Sequence, residues 1–131
     1  MSKKIVPTKN LPPAKGPYSQ CVIGRGSRMV FISGQVPQDE RGVLAGKGNI
    51  TEQTAQVLLN LKRAVEAAGG TVGDICKITI FVVRLDDDAY HAIAEARRTF
   101  FGGDYPASTM MEVNKLASPD WLIEIEAYAV I

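Results

Sequence analysis

Cysteine and histidine are scarce in this sequence of 131 residues, which holds two cysteines and one histidine. Cys21 and Cys76 are too few and too far apart for a disulfide framework or a metal-binding knuckle. Because both lie in segments with strand character, we expect buried thiols that pack as small hydrophobic side chains. His91 lies near a helix start, where a surface role is expected rather than a catalytic one. The sequence therefore predicts a reduced, intracellular protein without a metal site.

An excess of charge of either sign is also missing. The sequence has 15 Lys and Arg against 14 Asp and Glu, so its net charge is +1. Binding to nucleic acid draws on a clustered positive field, so this balance argues against nucleic acid as the main partner. A small domain with almost no net charge also lacks repulsion between its copies, so the composition permits self-association.

Long apolar runs are absent as well. No run approaches the roughly 20 residues that span a bilayer. No apolar stretch follows Lys3 and Lys4, as a secretory signal would require. We expect a cytoplasmic location and no membrane partner. The length of the chain suits one domain, residues 1–131.

Hydrophobic patterning predicts strands and helices in alternation. A short strand near Ile5 is followed by an irregular arm, residues 11–17, that is rich in proline. The remaining predicted elements are strands over 18–23 and 29–36 joined as a hairpin through 24–27, a loop over 37–48, a helix over 51–68, a strand over 75–83, a helix over 89–101, and strands over 107–116 and 121–130.

The first predicted helix has both an apolar stripe and a start signal. Leu58, Leu61 and Val65 recur at spacings of three and four residues. Asn49 and Glu52 fit a capping box, and two glycines at 69–70 supply a stop.

Three aspartates, Asp86, Asp87 and Asp88, stand before the second predicted helix. They offer N-caps and favourable charge at the positive end of the helix dipole. A cation site is the alternative, but no spaced set of ligands accompanies them, and capping explains them more simply.

The element order is ββαβαββ, which predicts an α+β fold with both helices on one face of a mixed sheet. The other face of the sheet then needs a cover, and another subunit is the simplest one.

Two glutamates share one face of the last predicted strand. Glu124 and Glu126 alternate with Ile123, Ile125 and Ala127. A half-buried strand whose glutamates face water is the simpler interpretation. The alternative is that Glu124 is held in a cleft between subunits, where it can orient a water molecule or accept a proton. Glu126 is then its solvated neighbour.

Two short motifs are further candidates for a site. Residues 16–20 read Gly-Pro-Tyr-Ser-Gln, which is either a turn with a packed ring or a means of presenting the Tyr18 hydroxyl to a ligand. Ser33 and Gly34 close an apolar strand, where the glycine marks a bulge or a close approach of the backbone.

These motifs occur together and in a fixed order. The sequence has Gly-Pro-Tyr-Ser-Gln at 16–20, Ser-Gly-Gln-Val-Pro at 33–37, Phe-Phe at 100–101, Pro-Ala at 106–107 and Ile-Glu-Ile-Glu-Ala at 123–127. Over essentially its whole length the chain resembles the RidA (YjgF) family of reactive imine and enamine deaminases. The resemblance implies a chorismate-mutase-like α+β fold and a homotrimer with three clefts between subunits. It also implies hydrolysis of 2-iminoacids or related enamines to 2-oxoacids and ammonia without a cofactor.

The resemblance also assigns site residues by position. The catalytic pair would be Glu124, which orients water, and Tyr18. Ser33, the backbone at Gly34, residue 108 and the backbone near Met110 would bind the substrate.

One position departs from the family pattern. Ser108 stands where active deaminases carry an arginine that holds the substrate carboxylate as a bidentate fork. Met110 replaces a frequent cysteine, and Ala94 and Arg97 replace a frequent Asn and Tyr. A serine donates one hydrogen bond and brings no charge, so the grip on a carboxylate is in question.

Three alternatives follow from this departure. The chain is a deaminase for a different imine or enamine, which is the leading hypothesis; or it binds a small ligand without turning it over; or Arg97 restores the positive charge. For Arg97, a solvated helix-surface arginine is the simpler interpretation, since Arg98 is its neighbour. Some family members have been described as ribonucleases, but this sequence has no basic stripe with interleaved aromatics.

Overall fold

The computed structural model describes residues 3–131, in which six strands and two helices follow one another in the order βββαβαββ. The helices begin and end within two residues of the predicted bounds, whereas the last two strands are shorter than predicted. The elements are β1 Lys3–Ile5, β2 Val22–Gly24, β3 Met29–Gln35, α1 Ile50–Ala67, β4 Ile75–Val82, α2 Asp87–Phe101, β5 Ala107–Glu112 and β6 Ile123–Val130, with a 3₁₀ turn at Val72–Asp74 before β4.

Four of the strands form a mixed sheet in the order β3-β6-β4-β5. β4 and β5 run parallel and are connected through α2, while β6 is antiparallel to both of its neighbours. Two helices on a mixed sheet confirm the predicted α+β class. β5 and β3 are the edge strands, three strand spacings apart.

Both helices cover the same face of this sheet, as predicted. β4 contributes Ile78, Ile80 and Val82 to that face, and β6 contributes four residues between 123 and 129, all without solvent exposure. α1 packs over β6 and β3 and against α2. We call this face the core face and the opposite one the open face. On the open face, Phe31 is 69% exposed and Met29 is 62% exposed.

The helix ends follow the predicted signals. Asn49 is the N-cap of α1, where its Oδ1 accepts from the backbone N–H of Glu52 at 3.0 Å. Asp86 is the N-cap of α2, where its carboxylate accepts from the N–H of Ala89 at 2.8 Å. Gly102 ends α2 in the left-handed conformation, with φ of 69°. The capping interpretation of the aspartates is therefore confirmed for Asp86.

The predicted hairpin between residues 18–23 and 29–36 is wrong. β2 pairs with β1 in a separate two-stranded sheet, and β3 pairs with β6. The connection between β2 and β3 packs on the far end of the described chain, because the N–H groups of Ser27 and Arg28 both donate to the carbonyl of Ile131. A local turn signal was therefore overridden by pairing between distant segments.

The prediction of two buried thiols is also wrong. Cys21 is exposed because it precedes β2 in the small sheet, away from the core. Cys76 is half-buried, and burial raises the pKa of its thiol. His91 is exposed, as predicted.

A buried glutamine holds the start of β6 against α1. Gln53 has no solvent exposure. Its Nε2 donates to the carbonyls of Gly46 at 3.2 Å and Asp120 at 2.9 Å, and its Oε1 accepts from the N–H of Leu122 at 2.8 Å. Leu122 comes directly before β6, so this side chain fixes the point at which the strand of Glu124 begins.

Replacing this glutamine tests its role in the fold. Gln53→Leu removes the partners of the Asp120 carbonyl and the Leu122 N–H, while the Gly46 carbonyl keeps the Asn49 N–H. We expect the free energy of unfolding to fall by about 3 kcal/mol. Urea denaturation at fixed protein concentration measures it. The control is Gln56→Leu on the same helix, which loses a single side-chain bond to Asn60 and should change stability by less than about 1 kcal/mol. Equal losses in the two variants would contradict the assignment.

Candidate functional site

The carboxylate of Glu124 lies directly against the backbone of Gly34. The β3–β6 pairing shifts register between Ile32 and Gln35, so Gly34 lies in a bulge. A Cβ atom built on Gly34 would overlap the Glu124 carboxylate. The predicted close approach at this glycine is thus observed, and its partner is the carboxylate that the sequence singled out.

Glu124 is the carboxyl group whose environment changes its acidity most clearly in this region. It is half-buried on the open face, and burial raises its pKa, with the nearby Glu126 carboxylate as a second and smaller cause. A carboxyl group with a raised pKa exchanges a proton more readily near neutral pH than an ordinary glutamate. The arrangement suits a group that takes a proton from water and returns it.

Ser33 lies beside this carboxylate on β3. Its side chain is exposed on the open face, and its carbonyl accepts a hydrogen bond from the Gln35 side chain at 3.0 Å. We call Ser33, Gly34 and Glu124 the glutamate group.

A second group of the predicted residues surrounds β5. The Ser19 N–H donates to the carbonyl of Pro106 at 3.0 Å, and Ser19 forms a parallel bridge with Ala107. Tyr18, which is half-buried, is therefore held beside the start of β5. The prediction that Tyr18 lies in a strand is wrong. A Cβ built on Gly16 would lie 3.6 Å from the Tyr18 ring and 3.4 Å from the Tyr90 hydroxyl on α2.

Ser108 and Met110 belong to this second group. Both face the core side of β5, since they pair with Ile78 and Ile80 of β4. Met110 packs against the core, so it can offer a ligand only its backbone on the edge strand. Ser108 is half-buried, and its Oγ accepts a hydrogen bond from Nη1 of Arg97 at 3.2 Å.

Arg97 is not the solvated surface residue that the simpler interpretation expected. It is 2% exposed, and burial lowers its pKa. Its neighbour Arg98 is the solvated one and pairs with Glu95 at 3.5 Å. We call Tyr18, Ser108, Met110 and Arg97 the serine group.

One chain does not bring the two groups together. One strand, β4, lies between β6, which carries Glu124, and β5, which carries Ser108, so the two positions are two strand spacings, about 10 Å, apart. Glu124 also faces the open side, whereas Ser108 faces the core side. A single ligand of small size cannot touch both groups within one protomer.

Sequence reasoning missed the structural roles of Gln53 and the burial of Arg97. A signal for both was present in the helical spacing. Arg97 follows Ala89 and Ile93 at intervals of four residues, and Gln53 precedes Val57 and Leu61 at the same interval. Each polar residue therefore lies on the stripe that faces the core.

No metal centre is formed by the described part of the chain. Within residues 3–131, His, Cys, Asp and Glu side chains nowhere gather in a group of three that could hold an ion. The same residues include no helix whose length and hydrophobicity would let it cross a membrane.

The fold and site define a small α+β protein whose sheet is covered by helices on one side, with one polar group on β3 and β6 and another beside β5. The family model described as Endoribonuclease L-PSP matches residues 8–131. A 2-iminobutanoate/2-iminopropanoate deaminase of Salmonella typhimurium is 47% identical over 132 aligned positions, which cover 99% of this chain and 98% of that protein. A RutC family protein of Pyrococcus horikoshii is 39% identical over 127 residues, 97% of each chain.

A solved structure agrees with these relatives. A Rid-family protein of unknown function from Yersinia pestis, YyfB, matches with a TM-score of 0.93 and 32% identity, covering 100% of both chains. The chain therefore belongs to the RidA (YjgF) family, as the sequence motifs predicted.

The acidity of Glu124 is open to direct measurement. We expect its carboxyl carbon to titrate at a higher pH than an ordinary glutamate in an NMR titration, and Glu126→Gln to move that midpoint down by removing a nearby negative charge. A raised folded-state pKa contributes stability at low pH that is lost as pH rises through it. Glu124→Gln should therefore be at least as stable as the parent protein at pH 7. A midpoint at or below the ordinary value would contradict this assignment.

Proposed function

We propose that this protein is a hydrolytic deaminase that converts a reactive imine or enamine to an oxo compound and ammonia. The observation that carries the proposal is the half-buried Glu124 carboxylate, held against the Gly34 backbone with a raised pKa. A carboxyl group in that environment is suited to orient a water molecule and accept its proton. The relative from Salmonella typhimurium, which carries the name of an imine deaminase, supports the same reaction class.

The proposed reaction balances with water as the only co-reactant. Glu124 takes a proton from water as the water oxygen bonds to the imine carbon, and the imine nitrogen gains a proton as the C=N bond becomes single. The hydroxyl proton of the resulting carbinolamine then passes through Glu124 to the amino nitrogen as C=O forms, and the C–N bond breaks to release ammonia. An enamine enters the same path after protonation at carbon. The steps need no metal or organic cofactor.

We further propose that the site is completed between copies of the chain in a homotrimer. Glu124 and Ser108 lie on different strands and on opposite faces of the sheet in one protomer, so a second protomer must supply the missing group to any ligand that contacts both. The open face also carries exposed apolar side chains, Met29 and Phe31 among them, which another subunit would cover. The number three comes from the family resemblance. The proposed location is the cytoplasm.

A second candidate function is binding of a small ligand without turnover. Ser108 favours this alternative, because it removes the direct arginine contact that active deaminases make with a carboxylate. Cleavage of RNA, which the family model's description names, is not proposed. A net charge of +1 gives little attraction for a phosphate backbone.

A coupled assay distinguishes these functions. A dehydratase generates 2-iminobutanoate, and formation of 2-oxobutanoate and ammonia is followed with and without the protein. We expect the protein to accelerate the reaction, and Glu124→Gln to lower kcat/KM by about 100-fold or more, the scale of losing an acid–base group. Glu126→Gln, two residues along the same face, is the matched control and should stay within a few-fold of the parent.

The assay also has clear contrary results. If the protein does not accelerate decay of either 2-iminobutanoate or a neutral imine, the deaminase proposal fails and the binding function takes its place. If both glutamine variants lose activity equally, Glu124 has no special role.

The oligomer is tested by charging the open face. Phe31 is highly exposed and contacts Tyr128 edge-to-face, with ring centroids 5.7 Å apart. We expect Phe31→Glu to shift the mass in light scattering from three chains toward one, and to remove activity with it, because a charge would be buried at the interface. The control is Leu59→Glu on α1, 37% exposed outside the open face, which should leave the trimer intact. A monomeric parent protein would refute the shared site.

A further inference from the structure

Arg97 is a buried positive charge without a counterion in the described chain. The residue is 2% exposed, and its Nη1 donates to Ser108 Oγ at 3.2 Å. Its Nε is buried and has no hydrogen-bond partner among residues 3–131. None of the ion pairs formed within those residues includes Arg97, although Arg98 beside it has Glu95.

A buried guanidinium without a counterion lowers the stability of the fold, so a contribution to stability does not explain why Arg97 is there. A guanidinium stays charged at any physiological pH. Buried charges in proteins are normally paired, since desolvation without a partner is costly. A neutral helix residue would fill the same space on α2 without that penalty. Residues 3–131 supply no anion for this charge, and the side chain that accepts its hydrogen bond, Ser108, is partly open to solvent.

We propose that Arg97 acts through Ser108 as a positioning residue that makes this site select ligands with a carboxylate group. The inference rests on the proposed function and names a residue for it: the cation that takes over from the arginine contact missing at position 108. Ser108 Oγ uses a lone pair to accept from Arg97, so its own O–H is free to donate to a ligand. Because Ser108 is half-buried and Arg97 is not accessible, the serine makes the contact and the arginine supplies the charge.

A carboxylate bound at Ser108 would be close enough to Arg97 for the two charges to attract each other. A carboxylate oxygen at hydrogen-bond distance from Ser108 Oγ would lie up to about 6 Å from Nη1 of Arg97. At an effective dielectric constant of about 20, attraction between unit charges at that separation is worth roughly ten- to a hundredfold in affinity. The hydrogen bond from the guanidinium also polarises the hydroxyl and makes it a stronger donor.

The test compares a carboxylate with its neutral counterpart. Binding of 2-oxobutanoate and of 2-oxobutanamide is measured by NMR titration, together with kcat/KM for 2-iminobutanoate. We expect Arg97→Gln to weaken 2-oxobutanoate binding by roughly ten- to a hundredfold while 2-oxobutanamide binding changes by less than about threefold. Arg97→Lys keeps the charge and should keep much of the preference for the carboxylate. A purely structural role would weaken both ligands alike.

Arg98→Gln is the matched control, since it removes the same charge one residue away on the solvent side of α2. It should leave the affinity for both ligands unchanged. Ser108→Ala should lower 2-oxobutanoate affinity by removing the donor, with little effect on folding. Should Arg97→Gln fail to fold, Ser108→Ala and Arg97→Lys still decide the question through the ratio of the two affinities.

A double variant tests relocation of the charge. Arg97→Gln with Ser108→Arg moves the cation from α2 to β5, and we expect it to recover the carboxylate preference that Arg97→Gln loses. A double variant that folds as a trimer but stays without preference would count against the inference.

Three results would overturn the proposal. The first is that the parent protein binds 2-oxobutanoate no better than 2-oxobutanamide. The second is that Arg97→Gln retains the full preference for the carboxylate. The third is that Arg97→Gln changes the oligomer mass without changing the ratio of the two affinities, which would assign the missing anion to a partner subunit. Failure of the deaminase proposal looks different. A protein that binds the carboxylate selectively through Arg97 but turns over no imine retains this inference and loses that one.

Discussion

The sheet is covered by helices on one side only, and the other features of the molecule depend on this constraint. Strict alternation along β4 and β6 sends aliphatic side chains to the core face and leaves Glu124 and Glu126 on the opposite face. A glutamate there is partly shielded without being enclosed. The same alternation leaves apolar rings at the surface of the protomer. The proposed chemistry and the proposed association therefore rest on one pattern of burial.

Two polar side chains depart from this pattern, because they lie on the core side among the aliphatic residues. Gln53 and Arg97 both lie within the layer between helices and sheet, yet they differ in how many of their polar atoms have hydrogen-bond partners. Gln53 meets three backbone groups and acts as a brace for the start of β6. Arg97 meets one hydroxyl and keeps an unpaired N–H. The complete set of partners makes Gln53 a structural residue, whereas the incomplete set that residues 3–131 give Arg97 is what motivates the proposed ligand contact.

Local patterns predicted the elements of this fold better than their pairing. Helical stripes, caps and alternation located α1, α2, β4 and β6. The motifs singled out Gly34 and Glu124 separately, and the structure shows that the two are in contact. The hairpin over 24–27 was wrong because strand partners are chosen by the whole sheet, and β6 competes successfully for β3. Arg97 was misjudged because a charged residue on an apolar stripe was interpreted from its type and not from its spacing. The separation of Glu124 from Ser108 follows from strand order, which no local pattern contains.

The pairing of β3 with β6 has a consequence for how the chain is made. During synthesis β3 leaves the ribosome early, and its partner is the last strand to follow. Until then an apolar strand with Met29 and Phe31 has no ladder to join, and contacts so distant in sequence form slowly. The nascent chain is thus exposed to aggregation for most of its translation. Chaperone binding at this strand would protect the same side chains that the proposed contact between subunits would cover.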